Sequence, residues 1–257
     1  MALRAALAAL ALATATGAEA EQSFSGDYTV SFLGLTIARS TFSTRLDGPD
    51  FRVNGSVNAA GLAVLFDDTS GTVSTTGRFA RRMPQADDFR VDYTEGGKSR
   101  MILIGFRNGT VTRTLNVPPL KKRGSDWVPI EKAHLVGVTD PLSAVLVAAD
   151  SPDRVCHRTV RIYDGEMRAD LTLTPHSSGT ISVPGYEGPT VVCRLHFTPV
   201  AGYRKGRRAL EFLKNRAQMH ISFAQIGTTG VYAPVHATIG TQIGTLTVSA
   251  RGFGVAN

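Results

Sequence analysis

Apolar and polar residues alternate along most of this chain in short runs, and turn-forming residues separate the runs at intervals of roughly 8 to 15 residues. Alternation with a period of two is typical of antiparallel strands, whose successive side chains point to opposite faces of a sheet. The pattern predicts strands over 26–33, 36–46, 51–58, 71–79, 87–94, 99–106, 110–117, 155–163, 167–174, 189–198, 217–225, 231–239 and 243–252. We therefore expect a mainly β protein with a single domain.

Two dipeptides predict tight hairpins between neighbouring strands. Asn108-Gly109 and Asp164-Gly165 each lie between two alternating runs. Both central residues of a type I′ turn need positive φ, which Asn, Asp and Gly tolerate. Each dipeptide therefore predicts a two-residue turn of this type.

One segment interrupts the strands with a helical pattern. Asp140 is placed to cap the free amides of a helix, and Pro141 suits its first position. An apolar stripe with helical spacing follows, formed by Leu142, Val145, Leu146 and Ala149. The sequence predicts a helix over 141–149 that packs inside a curved sheet. The expected fold is a strongly curved antiparallel sheet, similar to an open barrel or a β-spiral, around one or two short helices.

A second helix is predicted from Lys205 to Arg216, where Leu210 and Leu213 face inward and the flanking charges face water. The segment 118–138, in contrast, shows no clear period, so we interpret it as a long surface loop. It holds the single tryptophan, Trp127, whose large ring we expect to be packed.

The first 20 residues, MALRAALAALALATATGAEA, are typical of a signal peptide. Arg4 precedes a run of small apolar residues, and Ala18-Glu19-Ala20 provides a signal-peptidase site. The apolar run is shorter than the roughly 20 residues that cross a bilayer. We predict cleavage after Ala20 and a single β-rich domain over 21–257 in the periplasm of a Gram-negative bacterium. The alternative is an apolar N-terminal helix that stays on the domain.

The chain is basic, with a formal net charge of +7. An exported protein does not meet nucleic acid, so the acidic partners are membrane head groups, lipopolysaccharide and cell-wall polymers. The densest basic cluster consists of Arg204, Lys205, Arg207 and Arg208. We interpret it either as a contact for an anionic surface, which implies peripheral membrane contact, or as a solvated helix face.

The two cysteines, Cys156 and Cys193, are predicted to form a structural disulfide. In the run VVCRLHF, apolar residues alternate with polar ones, so Cys193 faces the core and His196 faces away. The same alternation separates Cys156 from His157. This argues against a zinc site, because zinc ligands must converge on one point. An oxidising compartment favours the disulfide, and two free buried thiols are the alternative.

The sequence lacks the common motifs of catalysis and cofactor binding. It has no His-Glu-x-x-His motif, no Gly-x-Ser-x-Gly motif, no P-loop and no dinucleotide-binding glycine pattern. The histidines other than His157 and His196 are scattered, and each is interpreted as structural. We therefore expect no metal, no cofactor and no catalytic residue, and the lack of motifs lowers the odds of an enzyme.

Four segments resemble, in the same order, a bacterial envelope family known as domain of unknown function 3108. They are GDYTVSFLGLTIARSTF, DPLSAVL, RIYDGEMRADL and YAPVHATIGTQIGTLTV. The resemblance covers nearly the whole chain after the signal peptide and is to alphaproteobacterial members. It implies an exported β-rich protein with no assigned activity and no catalytic residues to transfer.

These observations favour a non-enzymatic periplasmic protein that contributes to cell-envelope integrity. It would hold a lipid, a lipoprotein or another apolar ligand in the concavity of its sheet, which predicts an elongated apolar cavity. One alternative is a scaffold or assembly partner that binds another envelope protein through an exposed sheet edge or the 118–138 loop. A hydrolase acting on cell-wall or lipid material is the weaker alternative, because it needs polar groups that converge in a cleft.

Overall fold

The computed structural model describes residues 21–61 and 69–255. The predicted signal peptide, 1–20, lies outside these residues. Within the described part of the chain, no helix is long and apolar enough to cross a membrane.

Antiparallel strands form most of the structure. In chain order they are β1 (Gln22–Phe32), β2 (Leu35–Asp47), β3 (Asp50–Ala59), β4 (Ser70–Ala80), β5 (Met83–Glu95), β6 (Lys98–Arg107), β7 (Thr110–Val117), β8 (Trp127–Val128), β9 (Val147–Ala148), β10 (Arg158–Tyr163), β11 (Arg168–Val183), β12 (Tyr186–Ala201), β13 (Tyr203–Arg204), β14 (Met219–Gln225), β15 (Val231–Thr241) and β16 (Gly244–Val255). Fourteen of them form one sheet in the order β10-β11-β12-β14-β15-β16-β1-β2-β3-β4-β5-β6-β7, with β9 paired to β15 beside this path. Most neighbours in the sheet also follow one another in the chain, so hairpins build the sheet.

The sheet curves until its two edge strands, β7 and β10, are joined by a third piece of chain. The segment 136–139 lies between them, where Val136 bridges Thr110 of β7 and Thr139 bridges Ile162 of β10. The edge strands are not paired directly with one another in the described sheet. This arrangement confirms the predicted open-barrel fold.

The concave side of the sheet is filled by the segment 138–149. Its buried side chains pack on different parts of the sheet: Val138 with Phe89 and Ile104, Ala144 with Val160 and Ile162, Leu146 and Ala148 with Val53 and Val235, and Val147 and Ala149 with Phe223 and Tyr232. This one segment therefore takes part in every large apolar cluster of the core. The predicted packing of the segment inside a curved sheet is confirmed.

The predicted helix over 141–149 is wrong. A single 3-10 turn spans Ser143–Val145, and Leu146 then becomes extended, with φ −87° and ψ 123°. The chain continues as β9, which pairs with β15. The four residues between those of the apolar stripe, Ser143, Ala144, Val147 and Ala148, are buried as well, so the helical spacing does not mark a single buried face. Pairing with the backbone of β15 therefore decides the conformation of this segment.

The other predicted elements have counterparts in the structure. Every predicted strand corresponds to one strand of the sheet, and the predicted second helix is confirmed as α1 (Arg208–Asn215). The strands β11 and β12, with 16 residues each, exceed their predicted lengths the most. Residues 174–180 of β11 are exposed on both faces, so no alternation of apolar and polar residues marks them as part of a strand.

The two predicted hairpin turns differ in outcome. Asn108 and Gly109 have φ of 51° and 74°, which confirms the type I′ turn. The connection between β10 and β11 has four residues instead of two. There, Asp164 Oδ1 accepts hydrogen bonds from the amides of Glu166 (2.9 Å) and Met167 (2.7 Å). This side-chain acceptor stabilises a longer loop than the dipeptide predicts.

The 118–138 loop is more ordered than the sequence indicates. It contains β8, which pairs with β13, and a 3-10 helix over Lys132–Leu135. Trp127 lies in β8 and is half-buried, and the Arg123 guanidinium carbon stands 4.2 Å from the centre of its ring. The expected packing of Trp127 is therefore partial and involves a cation–π contact.

Candidate functional site

A buried carboxylate fixes the start of the segment that fills the sheet. Asp140 is fully buried, and its Oδ1 accepts hydrogen bonds from the amides of Leu142 (2.8 Å) and Ser143 (2.9 Å). Its Oδ2 accepts hydrogen bonds from the hydroxyls of Ser143 (2.5 Å) and Thr75 (2.9 Å). The predicted role of Asp140 in holding free amides is confirmed, although the turn that follows is not an α-helix.

Thr75 connects this polar cluster to the sheet, because Thr75 lies in β4 and hydrogen bonds to Asp140. Its hydroxyl is also 2.9 Å from the Ser143 hydroxyl and 3.1 Å from the Asp88 carbonyl. Burial raises the pKa of Asp140, and the hydrogen bonds from Ser143, Thr75 and Leu142 oppose this effect. All three side chains of the cluster are at most 1% exposed. A substrate does not reach the Ser143 hydroxyl, so the cluster is an anchor and not a catalytic pair.

The anchored turn presents apolar side chains to a cleft on the concave side of the sheet. The cleft has a volume of about 180 Å³. Its lining residues are Leu142, Val145 and Leu146 from the turn, Tyr28, Phe42, Thr44 and Val53 from β1, β2 and β3, and Ala233, Pro234 and Val248 from β15 and β16. Of these ten residues, only Tyr28 and Thr44 carry a polar side-chain group. The segment 138–149 takes up space on the concave side, where the sequence predicts an elongated cavity, and this cleft lies beside it.

The polar group of Tyr28 is satisfied inside the protein. Its hydroxyl donates a hydrogen bond to the Pro234 carbonyl at 2.8 Å. Its ring meets the Phe42 ring edge-on, with 5.8 Å between ring centres. Burial, and to a lesser extent the charge of Asp27, raises the pKa of Tyr28 well above its ordinary value. The hydroxyl therefore stays protonated, and the cleft offers a ligand an almost entirely apolar surface.

Glycines make room for the two aromatic rings. A Cβ atom on Gly26 would lie 2.7 Å from the Tyr28 ring, and one on Gly55 would lie 2.4 Å from the Phe42 ring. Glycine inside a strand is unfavourable unless another group approaches closely. These two glycines leave the space on the sheet that the rings of Tyr28 and Phe42 occupy beside the cleft.

Three of the four residues of the predicted basic cluster line one surface cleft. Arg204 forms an ion pair with Asp126. A surface cleft of about 620 Å³ is lined by Arg204, Lys205 and Arg207 together with Arg123, Trp127, Glu166 and Gly206. Arg208, the first residue of α1, is not among these lining residues. All four predicted basic residues are exposed, and their contact with an anionic surface stays a prediction.

The predicted disulfide is confirmed. Cys156 and Cys193 are bonded, with 5.3 Å between their Cα atoms, and both are at most 1% exposed. Cys193 lies in β12 and faces the core while His196 is exposed, as the alternation predicts. Cys156 precedes β10, which begins at Arg158, so the alternation argument does not apply to it. The bond links the chain entering β10 to β12 across the intervening β11.

Metal-binding side chains do not cluster in the described residues. Within 21–61 and 69–255, no group of three or more His, Cys, Asp or Glu side chains is placed to hold a metal ion. His176 and His220 do stack, with 4.4 Å between ring centres. Burial, followed by the charges of His176 and Arg194, lowers the pKa of His220.

The lining of the cleft could not be identified from the sequence. Its residues come from β1, β2, β3, β15, β16 and the 3-10 turn, and only the register of the sheet brings them together. The register pairs Phe42 with Gly26 on one side and with Gly55 on the other. Gly55, inside the predicted strand 51–58, was a signal that a large ring lies against it, whereas Gly26 was predicted at the start of a strand.

The sequence matches one family model. The model is described as "Protein of unknown function (DUF3108)", and it matches residues 27–251. Among curated proteins, none matches the chain.

Two solved structures are similar to this one. The crystal structure of a β-barrel-like protein of domain of unknown function DUF1849 from Brucella abortus has 7% sequence identity and a TM-score of 0.46, over 92% of this chain and 98% of that chain. The structure of the hypothetical protein CT021 from Chlamydia trachomatis has 13% identity and a TM-score of 0.31, over 90% of this chain and 89% of that chain.

Proposed function

The chain belongs to the DUF3108 family of proteins of unknown function, and we propose that it is an exported, non-enzymatic protein that binds one apolar group of a lipid or lipoprotein. The binding site in this proposal is the cleft between the anchored turn and strands β1, β2, β3, β15 and β16. The observation that carries the proposal is the apolar lining of this cleft. In the periplasm, such binding would serve the integrity of the cell envelope.

The volume of the cleft limits the size of the group that it can bind. Its volume of about 180 Å³ is below the roughly 300–1,000 Å³ of most ligand sites. It is close to the roughly 150 Å³ of an engineered apolar cavity that binds benzene. The bound group is therefore the end of an acyl chain or one apolar side chain of a lipoprotein, and the rest of the ligand stays outside the cleft.

Filling the cleft should prevent binding. Val145→Phe places a ring in the cleft from the 3-10 turn, whereas Val255→Phe adds the same ring at a position of β16 that is 68% exposed. We expect n-decanol to bind the wild type and V255F equally, and V145F at least about tenfold more weakly, because the ring takes the volume that the chain end needs. Isothermal titration calorimetry measures the affinities. Equal binding to V145F and the wild type would contradict the proposal.

Export is supported by the disulfide, because such bonds persist in oxidising compartments and are rare in the cytosol. The protein recovered from the periplasm of a Gram-negative host should begin at Glu21, since Ala18-Glu19-Ala20 provides the cleavage site. Edman sequencing measures this directly. A protein that retains Met1 would show that the signal-peptide prediction is wrong.

A separate observation favours the scaffold alternative. Leu115, Val117 and Leu120 are each 45% exposed, and they follow one another along the edge strand β7 and into the 118–138 loop. Exposed apolar residues beside a strand edge are typical of a protein contact. The test compares pull-downs from envelope extract with the wild type and with L115S/V117S. A single protein that the wild type retains and this variant loses would support the scaffold function.

A further inference from the structure

Two neighbouring hairpin turns expose large apolar residues at one end of the sheet. Leu33 lies in the turn between β1 and β2, and Leu35 is the first residue of β2; they are 64% and 61% exposed. Ile243, in the turn between β15 and β16, is 78% exposed. These turns touch, since the Leu33 amide donates to the Thr245 carbonyl at 3.1 Å. The Leu33 side chain also lies over Gly244, where a Cβ atom would be 2.5 Å from Leu33 Cδ2. We name Leu33, Leu35 and Ile243 the apolar tip.

The residue types at these turns are unusual. Leu33 has a φ of 51° and precedes Gly34, with a φ of 83°. Asn, Asp or Gly is favoured at the first of two such positions, and a bulky side chain there is a rare exception. A leucine that is both conformationally unfavourable and mostly exposed adds nothing to the core. Its placement is explained if the side chain contacts something outside the protein.

The short helix α1 lies beside the apolar tip and is amphipathic. Gln242, next to Ile243, donates a hydrogen bond to the Arg208 carbonyl at 3.5 Å, and α1 also contacts β15. The apolar residues Leu210, Phe212 and Leu213 are only half-buried, and α1 has no buried residue. The helix therefore has an apolar side that the rest of the protein covers incompletely.

Positive charge surrounds this helix. Arg207, Arg208, Lys214 and Arg216 are exposed within and next to α1, and Glu211 is the one carboxylate in the same stretch. None of the four basic side chains forms an ion pair within the described part of the chain. They therefore remain available for external anions.

We infer that the apolar tip and α1 together dock the protein onto the surface of an anionic lipid bilayer. Exposed apolar side chains enter the boundary between head groups and acyl chains, and flanking cations are attracted to anionic head groups. A basic amphipathic helix next to exposed leucine and isoleucine combines both contributions. The charge complementarity selects a lipid surface over an apolar protein groove, where unpaired cations are unfavourable.

This surface is distinct from the apolar cleft. The cleft is lined by none of the tip residues and by no residue of α1. An experiment can therefore contradict docking on the bilayer without contradicting the binding of an apolar group in the cleft, and the reverse. Of the predicted basic cluster, the docking surface uses Arg207 and Arg208, which lie at the start of α1. It does not include Lys205 or Arg204, and Arg204 is paired with Asp126.

The test uses flotation of the purified protein with vesicles. We expect binding to vesicles of phosphatidylcholine with 30 mol% phosphatidylglycerol, a much weaker interaction with pure phosphatidylcholine, and a decrease as salt rises, because salt screens the attraction. Neutralising Arg207, Arg208, Lys214 and Arg216 to Gln should weaken binding to anionic vesicles by at least about 30-fold. L33S/L35S/I243S should weaken binding to anionic vesicles by at least about tenfold, because less apolar surface enters the bilayer.

Matched control variants show whether vesicle binding depends on these positions or only on the net charge and the exposed apolar surface of the protein. Changing Arg52, Lys98, Arg107 and Arg113 to Gln alters the net charge equally at exposed sites on other strands, and V255S removes an exposed apolar residue at the other end of β16. Both controls should float like the wild type. Vesicle binding that is unchanged both in L33S/L35S/I243S and in the variant with Gln at 207, 208, 214 and 216, or reduced equally in the controls, overturns the inference. Dimerisation that L33S/L35S/I243S abolishes, without vesicle binding by the wild type, would overturn it in favour of a second copy of the chain.

Discussion

Replacing Asp140 by Ala is expected to lower the free energy of unfolding by about 3–5 kcal/mol, because the variant leaves several buried hydrogen-bonding groups without an acceptor. The amides of Leu142 and Ser143 and the hydroxyls of Ser143 and Thr75 all donate to this carboxylate. Urea unfolding followed by circular dichroism measures the change. Asp153→Ala is the control, because Asp153 is exposed in the next 3-10 turn and should change stability by less than about 0.5 kcal/mol. A change below about 1 kcal/mol in D140A contradicts the anchor role.

The same position should show a pH dependence with a defined sign. Burial raises the pKa of Asp140 in the folded protein above its ordinary value of 3.8. As the pH rises, the carboxyl therefore ionises first in the unfolded chain. Between the two pKa values the free energy of unfolding of the wild type decreases, and above the folded pKa it stops decreasing. D140N does not titrate there. The stability difference between D140N and the wild type should shift in favour of D140N as the pH rises from about 4 through the folded pKa. A shift in the opposite direction would show that the folded carboxyl has a lowered pKa.

Removing the disulfide is the second change with a large expected effect. The bond joins residues that are 37 positions apart, and closing such a loop in the unfolded chain stabilises a protein by roughly 4 kcal/mol in the chain-entropy model. C156A/C193A should therefore have a free energy of unfolding that is lower by roughly 4 kcal/mol, measured by urea unfolding. Because the bond lies in the cluster with Val147, Val155 and Phe223, and not at the cleft, the variant should keep the affinity of the wild type for n-decanol.

Thiol labelling provides the control for the disulfide. Denatured, unreduced wild type should react at neither cysteine, and reduced wild type should unfold like C156A/C193A. Two reactive thiols per chain before reduction would contradict the disulfide and the stability argument together.

The fold was largely predictable because each strand of the sheet has its own local signal. One face of most strands packs on the core, so apolar and polar residues alternate along them. The prediction failed where this contrast is missing. Residues 174–180 of β11 are exposed on both faces, and the segment 141–149 has buried residues between those of its apolar stripe. The first stretch has no alternation, and the second has a helical spacing that does not mark a single buried face.

The candidate site was much less predictable than the fold. Asp140 was identified as a residue that holds free amides, but its contact with Thr75 joins positions 65 residues apart. The ring of Phe42 is brought onto Gly55 only by the register of β2 and β3. The apolar tip likewise depends on β1 and β16 being neighbours, although they lie at opposite ends of the described chain. Such contacts are properties of the sheet as a whole.

The most direct test of the apolar cleft is to observe which residues touch a bound chain end. Methyl groups of Val, Leu and Ile are labelled, and intermolecular nuclear Overhauser effects are recorded with n-decanol. The account predicts contacts from the terminal methyl of decanol to Val145, Leu146 and Val248, which line the cleft, and their loss in V145F. Contacts only to Leu33, Leu35 and Ile243, or none at saturating decanol, would contradict binding in the cleft.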